Sequence, residues 1–443
     1  MKQLNIMSDL FEKNSIGGGG EQNSDLARNL KDHGLFGLDK CISPIRPVFI
    51  IFTAFLLAFG LNHDASAQES KAKISNVQDI TGKAGAMGTK VVNGFVTSRF
   101  PAVGALLKDD SAHKELDVNC SGTLIGCSTF LTAAHCVSKD PDPKRYRVFL
   151  PNAGIFGVVP GGIHWQKKKF VWPTTSGSRA DVAVLQLDQS VNGIRTEAIN
   201  DVSEVVTAQD GTISGYGLTG TANRLDSGIK RYGGTKTQKC KFSKPHDMIC
   251  WSYGAGTPGK DSNTCNGDSG GPFFATVKRE TVVAGVTSGG TKLNCGKGDH
   301  AYDTSVHAHI KWIKSIHKTA SRQACGELPA LPDSADSPRH YGWYGSIDDN
   351  IKKHVLRFSI SDTKTLRVAM NATEGIHGAE NKSDFDLRLL PGKTQDTSKA
   401  ACVRNDASQV AFCEIKNPAQ GPWTVVVMRK KGKGQFQITA SVF

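Results

Sequence analysis

The chain has 443 residues, 38% of them hydrophobic and 21% charged, with 47 glycines and a net charge of +13. That length suffices for about three domains at roughly 150 residues each, or for fewer if they are all-β. The mixture excludes collagen-like and disordered classes. Apart from Lys167 to Lys169 and Arg429 to Lys433 the basic residues are scattered, without the clustered stripe that a nucleic-acid-binding face presents, so nucleic acid is not an expected partner.

In chain order, residues 1–47 form a long polar leader. The run 48–61 (VFIIFTAFLLAFGL) is apolar, preceded by Arg46 and followed by Ala65-Ser66-Ala67, the small-x-small pattern of a signal-peptidase site. Its fourteen residues fall short of the roughly 20 that a spanning helix needs. Residues 1–67 therefore read as an extended leader and signal peptide, with no stable membrane anchor after processing. An extended leader and a start at Met7 both fit. Export makes cysteine usage informative, because disulfides persist outside the reducing cytosol. Of eleven cysteines, Cys41 precedes the apolar run and ten follow it, an even number that allows five bridges.

Residues 68–90, rich in Lys, Gly, Ser and Gln without a sustained apolar period, read as a short propeptide ending at Lys90. From Val91 to about residue 290, short β-branched or aromatic runs are punctuated by Gly, Asn, Asp and Pro, which predicts an all-β region. The strands expected are Thr123 to Thr132, Arg147 to Leu150, Asp181 to Leu187, Gly211 to Gly215, Pro272 to Val277 and Thr281 to Thr287. Residues 303–320 place Val306, Ile310, Ile313 and His317 on one face at helical spacing, which predicts a helix capped by Asp303 or Thr304. Residues 326–339, with three prolines among polar residues, read as a linker. Strands return at His354 to Ile360, Thr365 to Met370, Phe385 to Leu390, Val410 to Ile415, Trp423 to Met428 and Gln435 to Val442, the pattern of a separate small β-sandwich over 340–443.

The chemistry centres on Thr264-Cys-Asn-Gly-Asp-Ser-Gly-Gly-Pro-Phe273, where Ser269 is set among glycines beside an aspartate. A serine hydroxyl is a weak nucleophile at neutral pH, so it needs a base and backbone N–H groups to hold the oxyanion. His135 in Leu131-Thr-Ala-Ala-His-Cys136 is the candidate base. Asp181, opening the apolar Asp-Val-Ala-Val-Leu-Gln-Leu, is the candidate carboxylate that orients it. Gly267-x-Ser269-x-Gly271 also fits the nucleophile elbow of α/β-hydrolases, but an elbow is followed by a helix and its histidine follows the serine. Here Pro272 to Val277 reads as a strand, and the order is His135, Asp181, Ser269.

With TAAHC (132–136), DVAVL (181–185), GDSGGP (267–272) and TSGG (287–290), residues 91–325 resemble the trypsin/chymotrypsin family of serine peptidases. The resemblance implies two six-stranded antiparallel β-barrels with the active site between them and a C-terminal helix. It assigns His135 as general base, Asp181 as its orienting carboxylate, Ser269 as nucleophile, the amides of Gly267 and Ser269 as the oxyanion hole, and Ser288 as a hydrogen-bond partner of Asp181. It implies a secreted zymogen, activated by another protease or by autocleavage after Lys90, in which the freed amine of Val91 pairs with Asp268. It also implies the bridges Cys120–Cys136, Cys240–Cys250 and Cys265–Cys295. By parity, Cys127 pairs with Cys325, and Cys402 with Cys413. Protein or peptide substrates follow, and no cofactor or metal is called for.

The chain departs from the family at the substrate pocket. Where trypsin-like enzymes carry an aspartate, this sequence has Asn263, and His300 falls near the usual small glycine. With Gly290 on the other wall and Asp261 near the rim, the preferred residue is expected not to be strictly Lys or Arg. Residues 340–443, with Asp384-Phe-Asp-Leu-Arg-Leu-Leu390 and Gly421-Pro-Trp-Thr-Val-Val-Val427, resemble the pre-peptidase C-terminal (PPC) domain of secreted bacterial proteases, which implies a bacterial source and an extracellular or periplasmic location. Asp384 and Asp386 suggest calcium only weakly, since alternating carboxylates on a strand are commonly solvated. The rival reading is a catalytically inactive protease-fold protein that binds through the C-terminal sandwich.

Overall fold

The computed structural model describes residues 72–80, 91–110, 115–166, 180–220, 225–241, 247–326, 339–374, 383–405 and 408–443. The leader, the apolar run, Lys90 and most of the 326–339 linker lie outside the described residues. Among the described residues no helix is long and apolar enough to cross a membrane.

A closed six-stranded barrel runs Val103–Asp110, Glu115–Gly126, Thr129–Thr132, Ala183–Leu187, Gly154–Trp165 and Tyr146–Leu150, with each strand hydrogen-bonded to the next. Closure leaves no free edge, and Leu106, Phe130, Val148, Phe149 and Leu185 belong to the buried cluster in and around it. Burial of such side chains contributes about 1.5–3 kcal/mol each. The stretch read as one strand from Thr123 to Thr132 is a hairpin that turns at Cys127 and Ser128.

The second expected barrel is instead a seven-stranded antiparallel sheet. Its order is Met248–Ser252, His300–Ser305, Glu280–Gly289, Pro272–Val277, Asp210–Gly215, Arg231–Lys236 and Phe95–Val96. Among the described residues, Met248–Ser252 meets the stretch just past Arg231–Lys236 at the single bridge Gln238–Cys250, beside the Cys240–Cys250 disulfide, so the sheet curls into a half-barrel. Trp251, Phe273, Ile213 and Val91 share its core. The predicted helix is also shorter than its apolar period suggests. His300–Ser305 is a strand, and only Ile310–Ile316 is α-helical after a 3₁₀ turn at His307–His309. Asp303 and Thr304 therefore sit in the sheet and cap nothing; strand pairing with Met248–Ser252 claims their backbone.

The C-terminal residues form two antiparallel sheets around one core. One runs His340–Ile347, Gly434–Val442, Thr365–Ala372 and Val410–Lys416. The other has five strands: Lys73–Asp79, Lys353–Ser361, Gly421–Lys431, Asp384–Pro391 and Cys402–Arg404. Trp343, Met370, Phe436 and Ile438 from the first meet Phe358, Leu387, Trp423 and Val425 from the second. The outer strand of the second sheet comes from residues 68–90, read from sequence as a short propeptide with no strand expected in it. Lys73–Asp79 pairs with Lys353–Ser361, and its Ile74 enters this core. Its alternation is broken by Asn76 at φ +51° and by a register shift between Ser75 and Gln78, which removes the period-2 signal.

These sheets are fixed to the rest of the chain by buried side-chain bonds to backbone carbonyls. Gln437 Nε2 donates to Thr97 O at 2.7 Å, Asn371 Nδ2 to Gly228 O at 2.7 Å, and Arg367 Nη1 to Asn192 O at 2.6 Å. His340 lies 3.0 Å from Ser98 O through Nε2 and 2.7 Å from Asn152 Nδ2 through Nδ1, so Nε2 carries its proton and Nδ1 accepts. Burial, with the Lys230 ammonium nearby, holds its pKa down at about 4. Asn371 heads an Asn-x-Thr sequon, but its amide is wholly buried and its nitrogen donates to Gly228 and Gln437, so the folded chain offers no acceptor there.

Candidate active site

His135 lies in the 3₁₀ turn Ala134–Cys136 that follows Thr129–Thr132, and the Cys120–Cys136 disulfide ties this turn to the neighbouring barrel strand. Asp181 lies just before Ala183–Leu187, the strand paired with Thr129–Thr132, so the barrel register sets the two side chains side by side. His135 Nδ1 is 2.7 Å from Asp181 Oδ2, and the His135 backbone N–H donates to Asp181 Oδ1 at 2.9 Å. Ser288 Oγ donates to Asp181 Oδ2 at 2.5 Å. An ionised carboxylate only accepts hydrogen bonds, so Nδ1 of His135 is the donor and Nε2 keeps the lone pair, as a general base requires.

Ser269 lies in the turn just before Pro272–Val277 of the other sheet and lines the same two clefts as His135, one of them about 330 Å³ in volume. Its carbonyl accepts from Ser121 N at 2.8 Å, which ties the serine loop to the first barrel. Two glycines make this approach possible. Gly267 has φ +94°, and a Cβ there would come within 2.9 Å of Gly217 Cα. Gly270 has φ +84°, and a Cβ there would collide with Thr132 Oγ1 and Ser121 O at 2.1 and 2.4 Å. The amides of Asp268, Gly270 and Gly271 all find backbone acceptors. Those of Gly267 and Ser269 donate to nothing among the described residues. Two amides without an acceptor, at the serine and two residues before it, suit a developing oxyanion.

Asp268 points away from the cleft into the protein, 2% exposed, accepting from Gly217 N at 2.8 Å and Cys265 N at 2.9 Å. Burial raises its pKa to about 6 in spite of these bonds and of the Arg231 guanidinium. Val91 is buried in the half-barrel core, and the Val92 carbonyl accepts from Asn263 N at 3.0 Å. In the continuous chain Val91 carries no free amine.

The pocket beside Ser269 is bounded by Ser288, Gly289, Gly290 and the Cys265–Cys295 bridge, and the carboxylate that lines it is Asp299. Sequence reasoning missed this residue. His300, expected to shorten the pocket, projects from the opposite side of the extended chain, 2.7 Å from Ser252 Oγ and 2.8 Å from Lys241 Nζ. Asn263 is fully buried behind the pocket, donating to Asp299 Oδ2 at 2.8 Å and Cys295 O at 3.1 Å and accepting from Trp251 Nε1 at 3.1 Å. Asp261 accepts from Gly254 N and Gly256 N in a neighbouring loop and does not line the pocket.

The remaining bridges are Cys127–Cys325 and Cys402–Cys413. The first ties the short strand Ala324–Cys325, which follows the helix, to the first barrel. One cluster among the described residues has metal-ligand geometry, Cys120, His135 and Cys136. Its two sulfurs are joined to each other, so they offer no thiolate. Asp384 and Asp386, the weak calcium candidates, face Lys430 and Arg388 at 3.4 and 3.6 Å.

The family model described as Trypsin matches residues 97–313. Residues 97–313 form a trypsin-family domain. It contains His135, Asp181 and Ser269, while the C-terminal sheets lie beyond it. Spermosin of Halocynthia roretzi is 28% identical to this chain over 268 residues, a match covering 56% of this chain and 65% of spermosin. The chain thus spans less than two thirds of that relative's length.

Proposed function

We propose that this protein is a secreted serine endopeptidase, made as a zymogen, which cleaves peptide bonds by acyl-enzyme chemistry. The observation that carries this is the His135–Asp181 pair, fixed by three donors to the carboxylate, sharing a cleft with Ser269 and two unpaired amides. Ser269 Oγ attacks the peptide carbonyl while His135 Nε2 takes its proton; the amides of Gly267 and Ser269 hold the oxyanion. Protonated His135 then gives that proton to the departing amine, and a water repeats the sequence to release the acid. Asp181 keeps the imidazole oriented and stabilises its charge. The trypsin-family domain and the five disulfides support export to an oxidising location. The C-terminal sheets are read as a PPC-like sandwich that stays docked.

Specificity follows from Asp299. Its carboxylate gives the pocket negative charge, which favours Lys or Arg, but it already accepts from Asn263 Nδ2, Thr291 N, Thr291 Oγ1 and Lys292 N. A preference for basic residues that is weaker than a free carboxylate would give is the result. Sequencing the cuts that the processed enzyme makes in a peptide library tests the activity and the preference together. Asp299→Ala should reduce the basic preference by about tenfold or more, as loss of about 1.5 kcal/mol or more of charge-assisted interaction implies. An unchanged cut profile would remove Asp299 from the specificity pocket.

A further inference from the structure

We infer that the N-terminal peptide, once severed after Lys90, stays on the enzyme as a second, non-covalent chain, held as the edge strand of the C-terminal sheets. This rests on the zymogen reading above. Lys73–Asp79 forms an antiparallel ladder with Lys353–Ser361: Lys73 opposes Ser361, Ile74 opposes Ile360, Ser75 opposes Ser359, and after the bulge Gln78 opposes Arg357 and Asp79 opposes Leu356. The pairing continues to Ile80, whose N–H donates to Val355 O at 2.9 Å. Ala72 and Ile74 are 2% and 9% exposed and Val77 packs beside them, all against the core built from Trp343, Phe358 and Ile360.

A cut after Lys90 touches none of these bonds. It severs the covalent path from Ile80 to Val91 and leaves the ladder and the buried side chains intact. Releasing the peptide would instead expose one edge of Lys353–Ser361, a nine-residue strand that stays paired with Gly421–Lys431 on its other side, and open the core at Ile360. Exposed edges of that length are templates for unwanted pairing, and an added strand that covers one gains main-chain bonds along its length with pocketed side chains at alternate positions. The sheets are themselves fixed to the catalytic part through Thr97, Ser98 and Gly228. The severed peptide, the sheets and the peptidase therefore travel together, and the C-terminal sheets act as the receptor for the peptide that activation cuts free.

The test uses the full chain carrying Ser269→Ala, with the recognition sequence of an unrelated site-specific endopeptidase placed within residues 82–89. Cutting then depends on neither the protein's own activity nor its natural activator. After cutting, both fragments should leave gel filtration in one peak at equal molar amounts and separate only in denaturant. The N-terminal fragment eluting by itself would overturn the proposal. Ile74→Asp, which puts a charge into the core, should release the fragment after the cut; retention equal to the parent would remove the strand from its assigned role. If that variant fails to fold, hydrogen exchange on the parent decides, since the amides of Lys353–Ser361 that face the strand should stay protected after cutting and their exposure would contradict retention. Should the natural chain prove not to be cut after Lys90, the activation reading falls, while the engineered cut still answers whether the strand is retained.

Discussion

Replacing Ser269 with alanine should lower peptide turnover by roughly 10⁶-fold, and His135→Ala should do about the same. The reason is that the hydroxyl and the imidazole act as one unit: without the base the serine is not a useful nucleophile, and without the serine the base has no proton to take. The double variant should therefore be no slower than either single one, and only the contribution of the Gly267 and Ser269 amides and of substrate binding would remain. Asp181→Asn should cost about 10⁴-fold, because an amide facing Nδ1 stabilises the tautomer that leaves Nε2 protonated. Ser288, which also donates to Asp181, would stay in place in that variant. Steady-state kinetics on one peptide substrate checks all four proteins. A Ser269→Ala enzyme with parental kcat would end the triad assignment, and multiplicative losses in the double variant would contradict the coupled mechanism.

Asp268 should show opposite effects in the uncut and cut proteins. In the continuous chain its carboxyl is buried and its pKa is raised to about 6 from the ordinary 3.8. The folded state then holds a proton that the unfolded state gives up, so the uncut chain loses stability as pH rises from about 4 through 6, by up to about 3 kcal/mol. Cutting after Lys90 would supply the Val91 amine, and a paired carboxylate no longer carries that cost. Asp268→Asn should accordingly stabilise the uncut chain above pH 6, with a melting temperature less sensitive to acid than the parent's. The same substitution should lower the activity of the cut enzyme by about 10²- to 10³-fold, since an ammonium left in the pocket without its partner costs about 3–5 kcal/mol and the loop bearing Gly267 and Ser269 loses its anchor. Lys90→Gln should block activation by proteases that cut after lysine. Melting curves across pH and activity after cutting supply the readouts; a Lys90→Gln precursor that reached full activity without a cut at that position would refute this route.

Much of the candidate site was legible because its motifs are local in sequence. His135 and Ser269 each sit in a short motif whose neighbours, Cys136 and Gly267, serve the same site, and Asp181 opens a strand whose alternation is plain. What stayed hidden depends on distant partners or on one-residue shifts. Asp299 and His300 are adjacent and project oppositely, so a pocket aligned one residue off names the wrong side chain. Asp303 looks like a helix cap until the pairing with Ile249 places it in a strand. Lys73–Asp79 has few apolar residues, a positive-φ asparagine and a partner near residue 357, so nothing nearby in sequence marks it as a strand. His340–Ile347, interrupted by two glycines, was missed for the related reason that its pairing with Gly434–Val442 overrides a weak local preference.

The docking of the C-terminal sheets could not be read at all from sequence. It rests on single polar side chains, Gln437, Asn371, His340 and Arg367, meeting carbonyls of Thr97, Gly228, Ser98 and Asn192. Such contacts leave no periodic trace. They nonetheless connect the sheets to the segment following Val91 and to the loop preceding Arg231.

The most direct measurement is covalent labelling with a fluorophosphonate, which phosphonylates an activated serine, followed by mass spectrometry of the peptide containing Thr264 to Phe273. The expected result is one adduct per molecule, on Ser269, in the cut enzyme, and none in the His135→Ala variant. No adduct in the correctly cut protein, or an adduct on a different serine, would contradict the assignment of Ser269 and His135 as nucleophile and base.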